Sequence, residues 1–116
     1  MNFGETNLFK LASHRLQWLS DRQRVLSENI ANADTAEYRA RDVESFQSYL
    51  LNAEGAETLP SAEVRETKTL WGEDLSGNNV VIEEQLMEAS SAAGQYKLAA
   101  GLYRKAHQMM MSVAGG

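Results

Sequence analysis

The first third of the chain carries an apolar stripe with the period of a helix. Apolar residues recur at alternating steps of three and four positions, and a single polar residue interrupts the series. Neither proline nor glycine occurs between Asn7 and Asn32, so a helix can run through this segment unbroken. We therefore predict a helix over residues 1–34, of which 7–32 alone would be about 39 Å long. The stripe consists of Phe9, Ala12, Leu16, Leu19, Gln23, Leu26 and Ile30.

The last third repeats this pattern and predicts a second long helix over residues 79–116. Asn78 or Asn79 can cap its start, and Glu83 and Glu84 lie where a helix dipole favours acidic side chains. Its main stripe consists of Ile82, Leu86, Ala89, Ala93, Tyr96, Ala100, Tyr103, His107 and Met110, and a neighbouring stripe consists of Ala92, Ala99, Ala106 and Val113.

Two such stripes at the two ends of one chain most simply bury each other as an antiparallel coiled-coil hairpin. The predicted fold class is all-α, with one discontinuous domain made of both ends. Each stripe is wider than one partner helix can cover, so either the middle of the chain or other subunits must cover the rest. We favour other subunits. The residues expected along the helix-pairing seam are Phe9, Leu16, Leu19, Leu26, Ile30, Leu86, Tyr96, Tyr103 and Met110.

The middle of the chain, residues 35–78, reads as an acidic linker with a short irregular or weakly extended segment. Ten acidic and four basic side chains fall within 34–78, whereas the whole chain has a net charge of −5. This region also holds the only proline, Pro60. Residues 62–71 have weak strand character, from which we expect at most a short hairpin or ribbon. Trp71 either anchors to a partner surface or folds back onto the helices.

The composition excludes several classes of function. The chain has no cysteine, which rules out disulfides, thiolate metal sites and a cysteine nucleophile. A net negative chain is poorly suited to nucleic acid, and no apolar run is long enough to span a membrane. The two histidines, His14 and His107, lie in no metal-binding motif. We therefore expect no enzyme activity, no catalytic or metal site and no cofactor.

Two glycines in the last predicted helix are harder to explain. Gly94 and Gly101 lie seven residues apart and so share one face, which Ser90 extends by a turn. Each glycine costs up to about 1 kcal/mol of helix stability relative to alanine. They are either tolerated surface residues or an assembly face that lets a neighbouring helix approach closely.

Two short motifs resemble signatures of bacterial flagellar axial proteins, the rod, hook and hook-associated proteins. The first is the asparagine-rich helix end at 26–35 with its continuation at 38–42, and the second is the turn at 77–80. Together with the short length, they resemble the proximal rod type most. The sequence departs from the family where Ala36-Glu37 replaces Pro-Gly, which would let the first helix run on toward Tyr38. The motif residues are Asn29, Ala31, Asn32, Thr35, Tyr38, Gly77, Asn78 and Asn79.

The resemblance implies a structural subunit of the proximal rod of the flagellar basal body. Such subunits polymerise helically through their terminal helices, link the MS ring to the distal rod and transmit torque. The implied partners are other copies of the chain, other rod proteins, MS-ring and rod adaptor proteins, and the flagellar type III export apparatus. The implied location is the basal body within the periplasm, reached without a cleaved signal peptide. No nucleic acid and no direct membrane span are expected.

Three alternatives from other classes remain at this point. A small secreted helical hairpin of the WXG type has a similar length, but it needs Trp-x-Gly in a tight turn, whereas Trp71 and Gly72 are adjacent here. A cytoplasmic coiled-coil chaperone would form a defined small oligomer rather than a polymer. An enzyme is the weakest alternative, because no nucleophile or acid–base pair stands out.

Overall fold

Two long helices frame a small mixed middle segment. The computed structural model describes residues 3–67 and 77–114. Across these two ranges, neither long helix contains the continuous apolar stretch that crossing a bilayer requires. The prediction of two long terminal helices is confirmed. In chain order the elements are α1 (Phe3–Ala31), β1 (Arg41–Val43), α2 (Phe46–Ala53), β2 (Val64–Glu66) and α3 (Ile82–Ala114).

The helices α1 and α3 pack along each other in opposite directions. The ring of Phe9, near the start of α1, lies 4.8 Å from that of Tyr103, far along α3. Asn29, near the end of α1, bonds Gln85 in the first turn of α3. Between these points Leu19 is completely buried against the partner helix. Its burial contributes about 2 kcal/mol of hydrophobic stabilisation.

The side of α3 that faces α1 is lined by alanines at intervals of seven residues. Ala92 and Ala106 are completely buried and Ala99 nearly so, because small side chains let the two helices approach closely. The neighbouring stripe from the sequence therefore lies at the centre of the contact. Its last member, Val113, has a side chain outside the described part of the structure.

The residues expected along the seam spread from the centre of this contact to its edges. Leu26 is buried like Leu19, whereas Leu86 is 53% exposed and Tyr96 is 36% exposed. The sequence pattern singled out the bulkier apolar residues of α3, but these flank the alanine stripe rather than form it. The half-buried members are Phe9, Leu16, Ile30, Tyr103 and Met110.

The middle segment packs on α1, contrary to the expectation that other subunits would provide all of the cover. Trp18 is the centre of this contact, with the ring of Phe46 at 5.7 Å and Tyr49 and Ala62 in the same buried cluster. The indole N–H of Trp18 donates to the backbone oxygen of Glu44 at 2.7 Å. A large aromatic side chain with a satisfied N–H is an effective anchor.

The middle also contains a helix, α2, that the sequence analysis did not predict. Ser45 caps it by accepting a hydrogen bond from the backbone N–H of Ser48, and Tyr49 and Ala53 are its buried residues. The weak strand character at 62–71 is realised as β2, which pairs antiparallel with β1. The pairing is therefore not a local hairpin. Trp71 lies outside the described residues.

Two buried carboxylates tie the irregular backbone between α2 and β2 to the core. Asp21 on α1 accepts a hydrogen bond from the backbone N–H of Ala62 at 2.8 Å. Glu44 accepts from the backbone N–H of Glu63 at 2.7 Å, and also from Ser48 and Asn52. The Glu63 N–H, and then the two side-chain donors, lower the pKa of Glu44 although burial opposes the shift.

Because its folded pKa is depressed, the Glu44 carboxylate stabilises the fold above its ordinary pKa of 4.5, and this contribution is lost as pH falls through the folded pKa. We expect Glu44→Gln to lower the free energy of unfolding by about 1–2 kcal/mol at neutral pH. The variant should also lose less stability than the wild type on acidification. Urea unfolding from neutral pH to pH 3 measures both. Glu54→Gln, on an exposed side chain, is the control, and equal acid dependence in all three proteins would contradict the assignment.

Candidate functional site: the asparagine cluster and the outer face of the last helix

The chain turns sharply after α1. The helix ends at Ala31 rather than running on toward Tyr38, so the expectation attached to Ala36-Glu37 was wrong. Glu37 adopts φ of 62°, the left-handed conformation that a glycine takes without strain. The turn is therefore retained without the glycine that usually makes it, at a cost of about 1–2 kcal/mol.

Gly77, in the segment that leads into α3, packs directly on this turn. Its φ is +81°, and a Cβ at this position would lie 3.3 Å from Cγ and 3.4 Å from Cα of Glu37. Gly77 therefore suits this position for two reasons: glycine adopts the left-handed backbone conformation without strain, and the absence of a Cβ lets the chain pack closely on Glu37. The two motifs of the sequence, far apart along the chain, touch here.

Asn29 is the centre of a buried polar cluster and uses its full hydrogen-bonding capacity. Its side-chain nitrogen donates to the backbone oxygen of Arg41 at 2.6 Å and to Oε1 of Gln85 at 2.9 Å. Its side-chain oxygen accepts from the hydroxyl of Tyr38 at 3.0 Å and from the backbone N–H of Arg41 at 3.1 Å. One completely buried amide therefore joins α1, β1 and α3.

Asn78 connects the turn to the segment that leads into α3. Its side-chain nitrogen donates to the backbone oxygens of Asn32 at 2.9 Å and Thr35 at 2.6 Å. Its side-chain oxygen accepts from the backbone N–H of Val80 at 2.7 Å. The Thr35 hydroxyl in turn donates to the side chain of Asn32. These bonds tie the turn after α1, at Asn32 and Thr35, to the segment that leads into α3.

Asn79 completes the cluster from the same segment. Its side-chain oxygen accepts from the backbone N–H of Ala40 at 2.6 Å, and the backbone N–H of Asn79 donates to the backbone oxygen of Tyr38. Since α3 begins only at Ile82, neither Asn78 nor Asn79 is the helix cap that the sequence suggested. Of the eight motif residues, seven meet in this cluster, and Ala31 is exposed beside it.

A charged cluster next to the asparagines fixes the same three elements. Arg22 on α1 binds Asp42 in β1, with Nε and Oδ1 3.2 Å apart, and also binds Glu88 on α3. Burial lowers the pKa of Arg22, but the hydrogen bonds and charges of its two partners outweigh this and raise it overall. The arginine is therefore a charged bridge across the helix pair.

The outer face of α3 is bare at the two glycines. No heavy atom would lie within 4 Å of a Cβ built at Gly94 or Gly101, and Ser90 is exposed beside them. Nearby apolar side chains are also uncovered: Met87 and Leu98 are each 73% exposed. The alternative that the glycines are tolerated surface residues and the hypothesis of an assembly face both fit this geometry.

The histidines are not part of a catalytic arrangement in the described residues. Nδ1 of His14 lies 2.7 Å from the backbone oxygen of Lys10, and His107 is an exposed ring stacked 6.4 Å from Tyr103. Across residues 3–67 and 77–114, no three side chains of the metal-binding types gather into a potential metal site. Apart from Asn79 Nδ2, which is buried without a hydrogen-bond partner, the polar side-chain atoms of the asparagine cluster bond one another or nearby backbone groups, which is the behaviour of a structural network.

Comparison with known proteins decides the family. No protein-family model matches the chain. The flagellar basal body rod protein FlgB of Agrobacterium fabrum (strain C58) is 33% identical over 120 aligned residues, which cover 90% of each chain. The chain belongs to the FlgB family of flagellar basal-body rod proteins. The FlgB family is structural and not enzymatic, which agrees with the expectation from the sequence.

The FlgB motif was recognisable in the sequence, but three other residues that hold α1 to the rest of the fold were not. Gln85, Arg22 and Trp18 received no role in the sequence analysis, although each connects α1 to another element. Trp18 had a detectable signal, because it lies beside the predicted seam on a helix whose stripe was already too wide for one partner. Nothing in the local sequence distinguishes Gln85 from an exposed glutamine.

Asn29→Ala should lower the free energy of unfolding by about 2–4 kcal/mol, because it leaves buried groups of Tyr38, Arg41 and Gln85 without their partner. Chemical denaturation followed by circular dichroism measures the loss. Asn7→Ala, on an exposed position of the same helix, is the matched control and should leave stability unchanged or slightly higher. Similar stability of the two variants would show that the cluster is not essential to the fold.

Glu37→Gly should raise the free energy of unfolding by about 0.5–1 kcal/mol, since glycine relieves the left-handed strain at this position but loses more backbone entropy on folding. Glu37→Ala keeps the strain and should give no such gain. Thermal unfolding of both variants provides the test. A gain with alanine equal to that with glycine would assign the effect to the removed carboxylate instead.

Proposed function

We propose that this chain is a subunit of the proximal rod that polymerises helically through α1 and α3, links the MS ring to the distal rod and transmits torque. Membership of the FlgB family supports the rod role. The single observation that carries the polymerisation is the amount of apolar surface left open on the helix pair. The exposed apolar side chains of α3 are Ile82, Leu86, Met87, Tyr96, Leu98, Leu102, Met109 and Met111.

An apolar groove beside this surface offers a place for a neighbouring helix. Its volume is about 250 Å³, and Leu8, Leu11, Phe46 and Leu102 are among its lining residues. Leu11 is 47% exposed and Leu102 is 51% exposed, so both lose contact with water when another subunit packs there. Apolar surface of this extent on a small domain favours association.

The pairing of α1 with α3 suits a torque-bearing part. Arg22 and Asn29 each bond both to α3 and to the β1 segment, so sliding of the helices would break several polar bonds at once. Around Asn29, which is completely buried, broken bonds would leave unpaired polar groups away from water, which is costly. We infer that the pair turns as one body and behaves as a coiled coil within the rod.

The proposed partners are other copies of the chain, other rod proteins, the adaptor proteins of the MS ring and the flagellar type III export apparatus. The proposed location is the basal body within the periplasm, after export without a cleaved signal peptide. The absence of cysteine is compatible with export as an unfolded chain, because no disulfide has to be broken.

We propose that Gly94 and Gly101 form the assembly face. Gly101→Leu should leave the helicity of the isolated protein equal or higher, since the site is open and leucine is the better helix former. The added bulk should nevertheless stop a neighbouring subunit from packing, and cells that carry only this variant should lose rods and motility.

Gly101→Ala is the matched control, because it raises helix propensity with little added bulk. Cells carrying it should assemble rods and swim. Circular dichroism of the purified proteins and motility of the cells are measured together. Normal rods in a variant with leucine at both Gly94 and Gly101 would refute the assembly face.

A further inference from the structure

The residues on the outer face of α3 are arranged in pairs at equal distances on either side of Gly94. Met87 and Gly101 lie seven residues on either side of Gly94, and Glu83 and Lys105 lie eleven residues on either side. At 100° per residue, all four positions lie within about 20° of the direction of Gly94. The bulky Met87 therefore lies opposite Gly101, and the acidic Glu83 lies opposite the basic Lys105, with Gly94 at the centre of both pairs.

All of these positions are free in the described structure. Met87 is 73% exposed, and a Cβ built at Gly94 or Gly101 would have no neighbouring heavy atom within 4 Å. Glu83 and Lys105 are exposed as well. The face is therefore available to a partner without rearrangement of the fold.

The charges along α3 select the direction of that partner. The three acidic residues of α3 fall within its first seven positions, and its three basic residues all lie on the C-terminal side of Gly94. A second α3 in parallel register would place like charges together. A second α3 running the opposite way places the acidic half of each helix beside the basic half of the other, which is favourable. The acids are Glu83, Glu84 and Glu88, and the bases are Lys97, Arg104 and Lys105.

We propose that two copies of this chain form an antiparallel dimer through α3, with the twofold axis at Gly94. The two Gly94 backbones meet at the crossing point, Met87 of each copy fills the bare space over Gly101 of the other, and Glu83 pairs with Lys105 at both ends. Leu98 then lies over the small Ser90, four residues on the other side of the axis. Such a contact is isologous and closes at two subunits.

This contact would span about 33 Å of helix, from Glu83 to Lys105. It is small for a protein interface, so we expect a weak dimer that dissociates on dilution and at high salt. The dimer itself does not depend on the proposed rod function. One consequence does rest on that function: a closed dimer covers the face assigned above to rod assembly and would keep free subunits from polymerising.

A charge-exchange experiment tests the dimer. Glu83→Lys and Lys105→Glu are each prepared as the full chain and analysed by sedimentation velocity at low salt over micromolar to submillimolar concentrations. The wild type should dimerise, and each variant alone should be shifted toward monomer because like charges meet at both ends. An equimolar mixture of the two variants should regain the dimer, since both ends then carry opposite charges. A wild type that stays monomeric, or a mixture no more associated than its components, would overturn the proposal.

Cysteine cross-linking tests the position of the axis, because the chain has no cysteine of its own. Gly94→Cys should form a disulfide-linked dimer on mild oxidation, since the two residues meet at the axis. Gly101→Cys is the matched control on the same face. In the antiparallel dimer its two copies lie about 21 Å apart along the helices, and it should not cross-link. Equal cross-linking at both positions would indicate a parallel contact and refute the twofold arrangement, as would cross-linking at neither.

Discussion

The side-chain amide of Asn29 is the interaction on which the rest of the architecture depends. It is completely buried at the end of α1, where its two donors and its oxygen bond to Arg41, Gln85 and Tyr38. A buried amide with unsatisfied groups is costly, so this arrangement specifies one register between α1, β1 and α3. The alanine stripe of α3 allows close packing at many registers, because its members are alike. The asparagine selects among them.

The position of α1 explains how the chain can fold and still leave apolar surface on α3 open. The middle segment covers part of α1 through Trp18 and the α2 aromatics, and α3 covers another part through its alanines. In turn, α3 is packed chiefly on α1, so its outer face with Met87 and Leu98 stays open. The core of a single chain is thereby complete enough to set the register, while the surface that remains is apolar and bare. A rod subunit of the FlgB family has use for both properties.

Helical periodicity was enough to predict the two long helices, but not the part of α3 that faces α1. The period is the same for bulky residues such as Leu86 and for the alanines, and only the separation of the helix axes decides between them. Likewise α2 carries a local signal, a Ser45 cap before spaced apolar residues, which was outweighed by the acidic composition around it. The motif residues were recognisable individually. That Gly77 would pack against Glu37, or that Gln85 would bind Asn29, depends on tertiary contacts that no local pattern encodes.

Native-state hydrogen exchange of the wild-type protein tests the central role of the asparagine cluster most directly. The backbone N–H groups of Ala40 and Arg41 donate to the side-chain oxygens of Asn79 and Asn29, outside any helix. If the cluster holds the two ends together, these amides should exchange as slowly as the buried middle of α1 around Leu19. Rapid exchange at Ala40 and Arg41, with slow exchange retained in α1, would show that the helices pair without the cluster and would contradict the account.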